Sequence, residues 1–196
     1  AFDDATAAEL TSAFAEVGDA RAVVLRGEGP SFSAGADVDW MRATGGLSFE
    51  ENLASANAMR AMFEAIDGCP APVVVAAHGH ALGGGAGLVA CADVAIAHPD
   101  AVFAFSEVRL GILPAVISPF VLGAIGPRQA RRLFATGERF DAATALRIGV
   151  LTLVTSLWWM AGLAIQGAHG ISILRYTETY ETVANAALAP ELVRGL

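Results

Sequence analysis

Two short glycine-bearing segments carry the residue types best suited to chemistry. They are Ser31-Phe32-Ser33-Ala34-Gly35-Ala36-Asp37 and His80-Ala81-Leu82-Gly83-Gly84-Gly85-Ala86-Gly87. Each follows a hydrophobic, strand-like run and offers backbone N–H groups with no bulky side chain over them. Two preorganised amides aimed at a carbonyl oxygen that gains negative charge, as in enolate formation, make an oxyanion hole, and each donor contributes about 3 kcal/mol. Taken singly, either segment reads as a plain glycine turn. His78 and His80 flank the second segment and read as hydrogen-bonded structure rather than as catalysts. Ser118 is placed to hydrogen-bond a water but is not assigned a role.

The elements that must hold these loops follow from periodicity and punctuation. Asp3 and Asp4 cap a helix with apolar positions Ala7, Leu10, Phe14 and Val17, stopped at Gly18. Ala22 to Arg26 reads as a short strand broken by Gly27-Glu28-Gly29-Pro30, which puts Ser31 to Asp37 in a loop at a strand's C-terminal end, where α/β folds place ligands. Ser48 and Glu51 form a capping-box pattern ahead of a stripe at Phe49, Leu53, Ala56, Met59, Phe63 and Ile66, ending near Gly68. Pro72 to Ala77 is apolar throughout and is expected to be a strand covered on both faces. The glycine run follows it and precedes a short buried helix over Ala86 to Cys91, the order that points a helix N-terminus into a site.

Asp93 to Ala97 and Val102 to Phe105 are further strands separated by a Pro99-Asp100 turn. Pro114 and Pro119 are expected to frame a loop, Pro127 to start a helix, and Asp141 to cap a helix over Ala142 to Ile148. Strand alternating with helix predicts a parallel α/β core.

Composition narrows the function classes. A 196-residue chain with 55% apolar and 16% charged residues can bury a large core in one domain, which argues against disorder. Net charge is −8 and lysine is absent, so no basic stripe is available for nucleic acid, and an anionic ligand must be held by arginines and helix N-termini. Cys69 and Cys91 have no metal-ligand or CxxC spacing and fit buried, reduced thiols in a cytoplasmic protein. The opening Ala1-Phe2-Asp3-Asp4 is not a signal peptide, and a start without Met suggests a trimmed terminus. Ile148 to Leu174 carries no formal charge, yet Trp158 and Trp159 sit mid-run and glycines interrupt it. It reads as a buried or subunit-interface helix and not as a membrane span.

From Phe2 to Leu151 the chain resembles the enoyl-CoA hydratase/isomerase family, the crotonases. The matching motifs are Gly27-Glu28-Gly29 to Asp37, Gly79-His80-Ala81-Leu82-Gly83-Gly84-Gly85, Phe105-Ser106-Glu107 to Pro114, and Thr136-Gly137-Glu138-Arg139-Phe140-Asp141-Ala142, in family order. The resemblance implies an α/β crotonase-like spiral of ββα repeats with a C-terminal helical region, assembled as a homotrimer or a dimer of trimers. It implies an acyl-CoA thioester substrate, with coenzyme A as part of that substrate, no separate cofactor and no metal. The oxyanion donors are then the amides of Ala36 and Gly84, and in this context the two loops together outweigh the plain-turn reading. Coenzyme A lies along Ala34, Gly35, Ala36 and Asp37 through backbone contacts, with Arg26 near the phosphates. An aspartate beside the first loop also fits a capping role, which applies to Asp37; Asp39 is a further possible partner for proton transfer.

Hydratases of the family use two glutamates. The first position falls on Gly87 and the second on Glu107, whose partly desolvated carboxyl would move the proton next to the thioester carbonyl; a surface glutamate paired with Arg109 is the plainer reading. The implied function is hydration of a 2-enoyl-CoA. Double-bond isomerisation by the single carboxylate, or acyl-CoA binding without catalysis, are the alternatives. Ser106 to Gly111 and Ile117-Ser118-Pro119-Phe120 are similar to the bacterial branch of methylglutaconyl-CoA and related branched enoyl-CoA hydratases. An acidic acyl tail would call for a cation, for which Arg42 and Arg109 are the nearby candidates. The expected organisation is a core over 1–151, lacking the family's N-terminal hairpin, and an atypical, helical segment over 152–196.

Overall fold

The computed structural model describes residues 3–152; the expected C-terminal helical segment, with Trp158 and Trp159, lies outside them from residue 153 on. The chain opens with helix α1 (Asp4–Ala15), capped by the Asp3 carboxylate, which accepts from the Thr6 amide. Strand β1 (Val23–Arg26) follows, then the first glycine loop and helices α2 (Val38–Thr44) and α3 (Phe49–Asp67). Strands β2 (Val73–Ala77) and β3 (His80–Leu82) lead into helix α4 (Gly84–Ala90). Next come β4 (Val94–Ala97), β5 (Val102–Ala104), a 3-10 turn over Glu107–Leu110, α5 (Ser118–Thr136), β6 (Phe140–Asp141) and α6 (Ala142–Ile148).

Two three-stranded sheets result. In the first, β2 is central and parallel to both β1 and β4, with Val75 opposite Leu25 and Ala95. In the second, β5 is central, parallel to β3 and antiparallel to β6. The chain passes between the sheets at His78-Gly79. Gly79 has φ +56, and a Cβ there would lie 2.1 Å from the Pro30 carbonyl oxygen, so the corner tolerates only glycine.

Packing follows the predicted stripes with instructive exceptions. Helix α3 has its capping box and buries Met59, Met62, Phe63 and Ile66, but Phe49, at its first position, is 75% exposed. Strand β2 buries Val73, Val75 and Ala77, while Val74 and Ala76 on the other face stay half-buried, so the expected covering of both faces is incomplete. On β5, Phe103 stacks with Phe140 and the adjoining Phe105 meets Phe134 edge-on at 5.4 Å, fixing the end of the strand from which Glu107 departs.

Several expectations are corrected. His80 to Leu82 is a strand rather than loop, and α4 begins at Gly84 instead of Ala86, because the glycines themselves form its first turn. Pro119 lies in the first turn of α5, where its missing N–H would have had no intrahelical acceptor, and does not frame a loop. Pro127 restarts α5 after a break at Gly126, φ 72 and ψ 163. Helix α2 has no counterpart in the sequence reading; its Asp37 cap accepts from the Asp39 and Trp40 amides. Both thiols are free, and burial, with the Asp67 carboxylate, pushes that of Cys91 up. No described helix is long and apolar enough to cross a membrane.

Gly79→Ala is expected to destabilise the fold by more than about 1 kcal/mol, since it adds both a disfavoured φ and a backbone clash. Chemical denaturation measures the loss.

Candidate active site

The first glycine loop is stitched directly to β3. Ser33 pairs in parallel with Ala81, its amide donating to the His80 carbonyl at 3.0 Å and its carbonyl accepting from the Leu82 amide at 3.0 Å. This backbone-to-backbone approach depends on missing side chains. A Cβ on Gly35 would sit 2.7 Å from the Leu82 carbonyl oxygen and 3.6 Å from the Gly84 amide nitrogen, and one on Gly85 would sit 2.6 Å from the Ser33 carbonyl oxygen. The two loops found in the sequence are therefore one composite surface.

Glu107 is delivered to that surface by strand pairing. The Gly83 amide donates to the Ala104 carbonyl at 2.8 Å, and three residues on from Ala104 the Glu107 side chain turns back so that Oε1 would lie 3.3 Å from a Cβ on Gly83. Gly83 itself has φ +53. The first intrahelical bond of α4 runs from the Gly87 amide to the Gly83 carbonyl, which leaves the amides of Gly84 to Ala86 without intrahelical acceptors.

Ala36, Gly84 and Glu107 line one cavity of ≈ 410 Å³. Its walls come from α2, the middle of α3 and the segment Ile112 to Ile117, with Trp40, Met59 and Phe63 among them. Among the described residues Glu107 is the only lining side chain that ionises. Its Oε2 is buried and has no hydrogen-bond partner. Burial pushes its carboxyl above the ordinary value of 4.5, against the opposing pull of its own backbone amide. A carboxyl with one oxygen unsatisfied, its proton affinity raised, is suited to give and take a proton within the cavity.

The position expected for a second glutamate is filled. Gly87 is buried, and a Cβ there would lie 2.6 Å from Ile117 Cγ2 and 3.1 Å from Phe63 Cε1. A longer side chain at 87 has no space until Ile117 moves.

The remaining candidates fall outside the cavity. Asp37 serves as the α2 cap, Asp39 pairs with Arg42 at 2.7 Å on the surface, and of the four residues assigned to coenzyme A only Ala36 lines the cavity. Arg42 and Arg109 do not meet the expectation of a cation at the acyl end: Arg109 Nε donates instead to the Gly137 carbonyl at 2.8 Å. Among the described residues Glu107 and Arg109 form no ion pair, contrary to the surface-pair reading. Arg26 stands at the exposed end of β1. His78 Nε2 donates to the Gly29 carbonyl at 2.9 Å, His80 Nδ1 lies 3.3 Å from Ser31 Oγ, and Ser118 Oγ donates to the Ala115 carbonyl. The wall residues Trp40, Asn52 and Ser55 carried no sequence signal, because nothing in their spacing separates a cavity wall from an ordinary helix face.

Comparison with known proteins bears on the family and the fold. The enoyl-CoA hydratase/isomerase family model matches residues 1–172. The crystal structure of an enoyl-CoA hydratase from Shewanella pealeana ATCC 700345 superposes with a TM-score of 0.75 at 38% identity, over 85% of this chain and 64% of that one. A (7aS)-7a-methyl-1,5-dioxo-2,3,5,6,7,7a-hexahydro-1H-indene-carboxyl-CoA hydrolase of Mycobacterium tuberculosis is 36% identical over 168 residues, which are 84% of this chain and 65% of that protein. An enoyl-CoA hydratase of Alternaria alternata is 32% identical over 146 residues, 74% of this chain and 47% of its own length. The chain thus spans about half to two thirds of these relatives. With the crotonase fold and this match, the chain belongs to the enoyl-CoA hydratase/isomerase family.

The raised Glu107 carboxyl makes stability depend on pH with a definite sign. As pH climbs from 4.5 toward the folded-state value, the unfolded chain ionises first and the fold loses stability; below 4.5 the contribution is fully present. Glu107→Gln is expected to match the wild type in denaturant at about pH 4 and to exceed it at about pH 8.

Proposed function

We propose that this chain carries the acid/base and anion-stabilising centre of an enoyl-CoA hydratase, with Glu107 as its single proton-transferring group. The observation that carries this reading is the buried, unpartnered Glu107 Oε2 in the cavity shared by Ala36 and Gly84. The Glu107 carboxylate takes a proton from water as the water oxygen bonds to C3 of a 2-enoyl thioester. Electrons of the double bond move toward the thioester carbonyl, and the resulting enolate oxygen is held by the amides of Ala36 and Gly84. The protonated Glu107 then returns its proton to C2, so that one water has been added and the carboxylate restored. This step calls for no metal and no cofactor besides the coenzyme A of the substrate. The first loop, Ala34 to Asp37, holds the coenzyme through its backbone, and assembly as a homotrimer or a dimer of trimers belongs to the same reading.

Gly87 favours a second reading. Moving a double bond requires one group that removes a proton and puts it back, which suits a site with a single carboxylate.

Crotonyl-CoA and a 3-enoyl-CoA separate the two: loss of the conjugated enoyl-thioester absorbance reports hydration, and its gain from the 3-enoyl substrate reports isomerisation. Glu107→Gln is expected to lower kcat by about 10²–10⁴-fold while acyl-CoA still binds. The wild-type rate should fall on acidification with a midpoint above 4.5, since the base must be ionised. Turnover unchanged by Glu107→Gln would refute Glu107 as the proton-transferring group in both readings, and turnover of neither substrate by the wild type, with acyl-CoA still bound, would leave an acyl-CoA-binding role.

A further inference from the structure

Apart from Glu107, four residues lining the cavity bring a side-chain hydrogen-bond donor: Trp40, Thr44, Asn52 and Ser55. Each donor is engaged within the wall. Trp40 Nε1 donates to Asp4 Oδ2 and Ser55 Oγ to Asp4 Oδ1, both at 2.8 Å. Thr44 Oγ1 donates to the Met41 carbonyl at 2.9 Å, and Asn52 Nδ2 donates to the carbonyls of Leu47 and Ser48, each at 3.1 Å. The rest of the wall is largely hydrocarbon and thioether, with Met41, Met59, Phe63, Leu113 and Ile117 prominent. Among the described residues no arginine or histidine lines it, and Arg42 and Arg109 are held elsewhere by Asp39 and the Gly137 carbonyl. The charged groups fixed at the wall, Glu107 within and Asp4 behind Trp40 and Ser55, are both acidic.

Resting on the acyl-CoA reading above, we propose that this cavity selects a neutral hydrocarbon acyl group and excludes acyl groups that end in a carboxylate. A terminal carboxylate entering it loses water and gains, among the described residues, neither a cation nor a free side-chain donor. It also meets the like charge of the Glu107 carboxylate, which raises the cost of the wrong ligand rather than only lowering the gain. A hydrocarbon chain displaces water from the Met, Phe and Ile surface and strands none of the four side-chain donors, each already engaged. Asp4 is the specificity-determining residue here: its exposed carboxylate takes up the Trp40 and Ser55 donors that would otherwise be free.

The test uses the full chain and two pairs of ligands that differ by one carboxylate. Calorimetry compares the unreactive butyryl-CoA and glutaryl-CoA, and initial rates compare 3-methylcrotonyl-CoA with 3-methylglutaconyl-CoA. Butyryl-CoA is expected to bind about 100-fold more tightly, with kcat/KM favouring 3-methylcrotonyl-CoA in the same sense. A binding ratio under about tenfold overturns the selection, whether or not hydration is observed. Strong preference for butyryl-CoA without turnover of either enoyl thioester sustains the selection and overturns the hydratase reading. Failure of both saturated ligands to bind overturns the acyl-CoA reading and the selection with it.

Discussion

The site depends on two stretches of backbone lying against each other with nothing between them. Ser33 pairs with Ala81, and the absence of Cβ atoms at Gly35 and Gly85 lets the first loop rest on the second at distances no side chain would permit. Hydrogen bonds between main-chain groups are insensitive to rotamer choice, so the relative placement of the Ala36 and Gly84 amides is set by covalent geometry and sheet register. Side-chain contacts would have left more freedom. A composite of this kind is preorganised before any ligand arrives, which is the condition under which an oriented amide contributes most to a developing charge.

That same architecture explains the state of Glu107. Pairing of β3 with β5, continued by the bond from the Gly83 amide to Ala104, carries the start of the 3-10 turn over the glycine run. The aromatic contacts of Phe103 and Phe105 hold the strand end in place. The carboxyl is consequently brought to a place where one oxygen meets neither water nor a donor, and its proton affinity rises through loss of solvation. Stability is given up locally where that carboxyl ionises without a partner. The surrounding core, with Phe63, Val75, Phe103 and Leu133 fully buried, supplies the rigidity that makes this tolerable.

Much of the site was legible in the sequence because glycine patterns report backbone demands directly. The two loops, Glu107 and the caps at Asp3, Ser48 and Asp141 all occupy the places their residue types imply. What escaped was long-range. The short strand β3 has three residues and is defined by its partners rather than by alternation, and α2 is a seven-residue helix with no buried face and thus no periodic signal. The fate of Arg109 was equally invisible, since the Gly137 carbonyl is 28 residues away, whereas Arg42 pairs with a neighbour in sequence, Asp39. Residue type gave the charge of these groups; only folding decides what consumes it.

The filled space at Gly87 has a stereochemical meaning. Ile117 and Phe63 occupy the space that a side chain at 87 would need, which leaves Glu107 as the one ionisable side chain on the cavity among the described residues. If one carboxyl both activates water and returns the proton, the new C–O and C–H bonds form on the same face of the former double bond. Handedness at C3 would then follow from which face of the double bond the cavity turns toward Glu107.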